Sequence, residues 1–182
     1  VLKSILLIAT AFAGSQPALQ LASQTIIEDD GGGMAGAANR MVGGIVSYVG
    51  WPNGRGAAGR SLCQVGTPRL ASNPVAPQLP SGRHLIVRRV TAAAVMAGGD
   101  CDILFLGRMP AGDRQRLIGW VRGRAVLTIT DDDPACLYGA MFCLVRKPAG
   151  LGFSANLDAI GRGPLRVDPR VLQIGRDDGG AS

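Results

Sequence analysis

The chain is poor in the residues that most often carry chemistry: one histidine, four cysteines and 4% aromatics among 182 residues. A zinc site needs about four Cys, His or carboxylate ligands, usually in close pairs such as C-x2-C. Here the cysteines are widely spaced and His84 stands alone, so no metal is expected. No G-x-G-x-x-G follows the first strand pattern, where "VGTPRL" carries one glycine, and no G-x-x-x-x-G-K loop occurs, so no known device cradles a nucleotide. His84 heads a strand pattern beside arginines and reads as an ordinary exposed or hydrogen-bonded histidine rather than a catalytic base. The carboxylates cluster in turns (Asp29-Asp30, Asp131 to Asp133, Asp177-Asp178), where solvation or turn formation is their usual role. No cofactor and no catalytic activity are expected; a thiol enzyme survives only if a cysteine is free.

What the chain does have is apolar material, 47% of residues, enough for one domain with its own core. It begins "VLKSILLIATAFAGSQPALQLASQ", with Lys3 ahead of an apolar run from Ile5 to Ala13 and then small residues, which is a secretory signal pattern. The run is shorter than the roughly 20 residues a spanning helix needs. The cut falls after Ala13 or near Ala22 and Ser23, giving a signal over 1–22, a spacer over 23–33, a domain over 34–175 and a tail over 176–182. Export delivers thiols to an oxidising compartment, where an even number of cysteines is usually paired. The formal charge is +6, or +5 without Lys3, nearly all of it arginine. Dispersed arginine usually marks a solvated face; an acidic protein surface or a small anion is the functional alternative. Nucleic acid is not expected outside the cytoplasm of a chain with so few stacking aromatics.

Along the domain, Met34, Ala38, Met41, Val42, Ile45 and Val49 repeat at helical spacing, and the helix should end before "GWP", where Pro52 pushes the preceding residues toward extended geometry. Strands are expected at "SLCQVG", "HLIVRRV", "CDILFLG" and "AVLTIT", with a Pro-rich helical or irregular stretch from Pro68 to Pro80 and helices at "AAAVMAGG" and "AGDRQRLIGWVRG". Apolar strands separated by helical patterns argue for a parallel sheet covered on both faces. "YGAMFCLV" and "LGFSANL" flank the turn "RKPAG" and read as an antiparallel hairpin. "NLDAIGRG" should be a short helix, and "DPRVLQIG" begins with Asp168 as N-cap and Pro169 at the first helical position. The fold class is therefore α/β: a single domain with a mixed, mostly parallel sheet flanked by helices, and a C-terminal antiparallel hairpin.

Four cysteines allow three connectivities. In a doubly wound sheet the first and third strands are commonly neighbours, which would bring Cys63 near Cys101. Cys136 and Cys143 then pair locally, provided the segment between them doubles back.

The collinear set "YVGWP", "CDILFLG", "VLTITDDDPACLYGAMFCLV" and "FSANLDAIGRGPLRVDPRVLQI" resembles the YfiR family of periplasmic regulators, from about Met34 to Ile174. It departs in the first helix, where many relatives carry aromatics before "WP" and this chain has "GGIVSYVG". The resemblance implies two intramolecular disulfides and a repressor without catalytic activity. Its partners would be a YfiN-type inner-membrane diguanylate cyclase, whose cyclic di-GMP output and biofilm formation it lowers, and a YfiB-type OmpA-like outer-membrane lipoprotein that sequesters it; a homodimer is compatible. Trp51 and Pro52 are candidate partner contacts, since an aromatic at a helix-loop junction is a common anchor; the alternative is that Trp51 caps the core. Arg166 and Arg170 flank the helix start at Asp168, where an anion could sit; the alternative is plain surface arginines. The competing function is a periplasmic small-anion or metabolite-binding protein.

Overall fold

A computed structural model describes residues 32–54, 56–148 and 150–174. The expected signal, most of the spacer and the tail lie outside these. The element order is α1 (Gly33–Ser47), β1 (Val49–Gly50), β2 (Ser61–Val65), β3 (Ile86–Arg89), α2 (Ala92–Met96), β4 (Ile103–Leu106), α3 (Ala111–Val121), β5 (Leu127–Thr130), β6 (Phe142–Lys147), β7 (Gly150–Ala155), α4 (Leu157–Gly161) and β8 (Arg166–Val167), then a 3-10 turn over Pro169–Gln173. Six strands form one sheet in the order β3-β2-β4-β5-β6-β7, parallel from β3 to β6, with β7 antiparallel at one edge. The fold is the mixed, mostly parallel α/β domain with an antiparallel hairpin that the strand patterns imply.

β4 is apolar and buried along its whole length, and β2 and β5 are buried nearly throughout although they carry Gln64, Thr128 and Thr130, because both faces of these central strands are covered. Leu62, Ile103, Phe105, Leu127, Ile129, Phe142 and Leu144 face α1; Cys63, Val65, Leu104, Leu106 and Cys143 face α2 and α3. Burying side chains such as Phe105 and Phe142, both 0% exposed, stabilises the fold by about 1.5–3 kcal/mol each. On α1 the buried apolar side chains are Ala38, Met41, Val42, Ile45 and Val46, one stripe at helical spacing. The chain between β2 and β3 crosses that face without a helix. Its Gln78 lies so close to α1 that a Cβ on Gly43 would stand 1.8 Å from the Gln78 carbonyl oxygen, so this helical glycine is required by close approach rather than by a turn. Buried Asn39 ties the same two pieces together, donating to the Ser72 hydroxyl (2.8 Å) and accepting from the Ala76 N–H (3.2 Å).

The Pro68–Pro80 stretch takes the irregular of the two forms left open by the sequence. Two details differ from the expectation. "DPRVLQIG" makes a 3-10 turn instead of an α-helix, although Asp168 does cap it by accepting from the Arg170 N–H. Val49–Gly50 pairs with Arg166–Val167 as a two-stranded antiparallel ribbon, a pairing too short for any periodicity to announce.

Candidate functional site

In open α/β sheets ligands usually bind beyond the carboxyl ends of the strands, at the point where chain connections diverge to either side. Here that point lies between β2 and β4, and it is closed by the chain itself. Thr67 N–H donates to the Arg108 carbonyl (3.0 Å) and Arg108 N–H to the Thr67 carbonyl (2.7 Å), bridging the two strand ends. A Cβ on Gly66 or on Gly107 would come within 2.4 Å of backbone atoms across this bridge, so the two glycines let the strand ends touch where a ligand would otherwise sit. A hollow between α3, Gly139–Met141 and α4 measures about 60 Å³, and two open surface grooves away from the strand ends, one beside β3 and one beside Ala57, Leu79 and Pro80, measure about 540 and 710 Å³. A pocket for a small metabolite runs to about 300–1,000 Å³.

The acidic run following β5 is built into the fold. Asp131 is 3% exposed and its Oδ2 accepts from the N–H groups of Arg69, Leu70 and Ala71 at 2.7, 2.7 and 3.2 Å. Burial pushes its pKa above the ordinary 3.8; the three N–H donors oppose this and neighbouring Asp132 adds to it. Asp132 is ion-paired with Arg69 (3.2 Å) and with Arg114 of α3. Asp133, 2% exposed, accepts from Leu137 N–H (3.1 Å) and Tyr138 N–H (2.7 Å), while its own carbonyl accepts from Cys136 N–H (3.0 Å). Of the two expected roles, solvation fails for Asp131 and Asp133, whereas turn formation describes Asp133. They hold the β2–β3 crossover and the β5–β6 loop in place.

That β5–β6 loop, residues 131–141, joins two parallel strands without a crossover helix. It can be this short because β6 pairs with β5 only through Phe142 and Cys143, opposite Ile129 and Thr130. The loop is closed by Cys136–Cys143, whose Cα atoms are 5.5 Å apart, and Cys136 takes a left-handed backbone (φ +55°) that few non-glycine residues adopt. Between the disulfide and the Asp133 hydrogen bonds, Leu137 and Tyr138 are pushed outward, 78% and 58% exposed. The Arg114 guanidinium lies 5.0 Å from the Tyr138 ring, linking the knuckle to the Asp132 ion pair. Exposed Leu157 emerges from the same end of the hairpin, where Asn156 N–H donates to the Met141 carbonyl (2.9 Å). Leu137 and the ring of Tyr138 thus stand outward on a loop closed by a disulfide, an arrangement suited to contact with another molecule.

The other disulfide joins Cys63 to Cys101, as the adjacency of the first and third apolar strands suggests, with Cα atoms 5.7 Å apart. No described cysteine is free, so no thiol is at hand as nucleophile. Trp51 is 5% exposed; its Nε1–H donates to the Ala125 carbonyl (3.1 Å) and the Arg60 guanidinium stacks 4.0 Å from its ring centroid, so the ring belongs to the core while Pro52 alone is exposed. Arg166 and Arg170 do not make an anion site together. Asp168 fills that place, accepting from the Arg170 backbone N–H and guanidinium, which holds its carboxyl below the ordinary value. Arg166 sits exposed in the β1–β8 ribbon. His84 is exposed at the head of β3. Among the described residues no cluster of three or more His, Cys, Asp or Glu could hold a metal, and no helix is long and apolar enough to cross a membrane.

Sequence reasoning missed Leu137 and Tyr138 as surface residues. The available signal was their position inside a cysteine loop of only six intervening residues, too short to bury them. A family profile described as YfiR/HmsC-like matches residues 37–176.

Proposed function

The chain belongs to the YfiR/HmsC-like family, a family of periplasmic regulators of cyclic di-GMP signalling, and on that premise we propose that it is a repressor that binds the periplasmic region of a YfiN-type inner-membrane diguanylate cyclase. Residues 1–22 then serve as an export signal and 34–175 as the binding domain. The observation that carries the reading is the stapled knuckle: in a chain whose described cysteines are all paired, Leu137 and Tyr138 are large, apolar, exposed and fixed. Repression is linkage. The protein holds the cyclase in its inactive arrangement by binding that arrangement more tightly than the active one. A YfiB-type lipoprotein would relieve repression by competing for the free repressor. The metabolite-binding alternative loses support from the closed strand ends and from the pairing of Arg170 with Asp168.

The test is a Leu137→Asp, Tyr138→Asp double variant in the native host. Cyclic di-GMP should rise to the level of the gene deletion, and crosslinking to the cyclase should be lost, while the melting temperature stays close to that of the parent because both side chains are exposed. Unchanged cyclic di-GMP on deleting the gene itself, with no cyclase captured, would sink the repressor reading. A normal deletion phenotype with a silent double variant would sink only the knuckle.

A further inference from the structure

We propose that the free edge of the sheet at β3 receives an extended, acidic segment of a partner protein as an added strand. Among the described residues β3 is the last strand on its side, paired only with β2. Ile86 N–H donates to the Arg60 carbonyl (2.8 Å) and Val90 N–H to the Gln64 carbonyl (3.0 Å), so residues 86, 88 and 90 turn their backbone groups toward β2. Val87 and Arg89 therefore turn theirs outward, a row of donors and acceptors without a partner strand among the described residues, such as an added strand requires.

Both sides of this edge are prepared for a neighbour. On one face an open groove of about 540 Å³ runs beside the strand, lined by Pro74, Val75 and Pro77 of the crossover and by Leu85, Val87 and Arg89. On the other, Ile86 is 56% exposed, a large apolar residue that an added strand would cover. Strand addition uses main-chain hydrogen bonds for affinity and alternate side-chain positions for specificity, and this edge offers both.

Charge identifies the occupant. Between Asp30 and Asp100 the chain has no carboxylate, and around the edge stand Arg83, Arg88 and Arg89. Arg88 is engaged with the Ser61 hydroxyl and the Asp100 carbonyl, whereas Arg89 lines the groove and is exposed, and Arg83 is exposed in the chain just ahead of the strand. A second copy laid edge to edge would bring these arginines within reach of their own kind across a spacing of about 4.8 Å, which is unfavourable. An acidic strand turns the same charges into attraction, with steering that weakens as salt screens it. This surface lies in a different part of the fold from the Leu137–Tyr138 knuckle and does not rest on the repressor reading.

The experiment uses the full mature chain and a fluorescein-labelled heptapeptide alternating valine and glutamate, with a valine-lysine heptapeptide as control. Anisotropy should show binding of the glutamate peptide at least tenfold tighter than the lysine peptide, and amide exchange at Val87 and Arg89 should slow at least tenfold in its presence. Val87→Pro removes an outward N–H without touching the β2 ladder, and should abolish that binding with little change in melting temperature. Should Val87→Pro fold poorly, Arg89→Glu carries the test and should weaken the glutamate peptide at least tenfold while favouring the lysine one. The proposal is overturned if the glutamate peptide does not bind, if the lysine peptide binds as well, or if a folded Val87→Pro variant binds like the parent. It is equally overturned if Val87 and Arg89 are already protected without peptide, either in a dimer, making the occupant a second copy, or in a monomer, making it the chain's own "IIEDD" segment.

Discussion

Cys63–Cys101 and Cys136–Cys143 are the same bond in two different settings. The first closes a span of 38 positions and clamps β2 to the entry of β4, inside the core between neighbouring parallel strands. The second closes a span of 7 within one surface loop and is backed by hydrogen bonds from Asp133 to the residues it encloses. The wide bridge restrains the unfolded chain most, because loop-closure entropy grows with span. The narrow one restrains it less but sets the shape of Leu137 and Tyr138. One disulfide serves the stability of the fold, and the other serves the geometry of a surface.

The comparison can be broken by removing each bridge in turn. Replacing both Cys63 and Cys101 by alanine should cost about 4 kcal/mol on the loop-entropy model, read as a lower urea midpoint, with the surface knuckle still recognised by whatever binds it. Replacing both Cys136 and Cys143 should cost about 2.5 kcal/mol by the same measure, yet abolish partner capture at temperatures where the domain is still folded. Equal losses of stability, or a knuckle that binds without its staple, would erase the distinction.

A sharper probe is Asp133→Ala. It strands two backbone N–H groups in the stapled loop and should cost about 2 kcal/mol. In double-variant cycles it should couple to loss of Cys136–Cys143 by about 0.5 kcal/mol or more, because both hold the same turn, and should simply add to loss of Cys63–Cys101. Coupling to both bridges would mean that the loop and the central strands yield as one unit.

The smallest effect is a pH dependence at Asp131. Its folded pKa lies above the ordinary 3.8, so between those two values the folded chain binds the proton more tightly than the unfolded chain. The stability this group contributes is fully present below 3.8 and is lost as pH rises through the folded pKa. Asp131→Asn has no proton to lose at this position. Its stability relative to the parent should therefore improve as pH is raised from 3.5 through the carboxylate range, in urea titrations at successive pH values. A difference that is flat or reversed in sign contradicts burial as the dominant influence on this carboxyl.

Much of the architecture was legible in the chain because it depends on local pattern. The uninterrupted apolar run in "CDILFLG" demands cover on both faces, and the observed β4 has it. The turn "RKPAG" between two apolar segments specifies the β6–β7 hairpin, and "NLDAI" carries its own cap, Asn156 accepting from Ala159 N–H at 3.0 Å. The cysteine partners followed from one topological premise, that the first and third apolar strands are neighbours. The site was less legible. Trp51 could be read as anchor or as core, and only the position of the Ala125 carbonyl and Arg60 decides that its ring is enclosed. Arg170 looked available for an anion until Asp168 turned back onto it.

Residue order alone determined the α/β class, the succession of the six main-sheet strands and the helices between them, and which cysteines could meet, since each rests on periodicity, turn chemistry or strand adjacency. Tertiary structure decided the state of the charges and of the strand ends. Asp131 meets Arg69, Leu70 and Ala71 across 60 to 62 positions of sequence, and Gly66 meets Arg108 only where two connections converge. The cost of a buried carboxylate, and the room left for a ligand, depend on which distant backbone arrives beside it, and no local pattern in a sequence encodes that arrival.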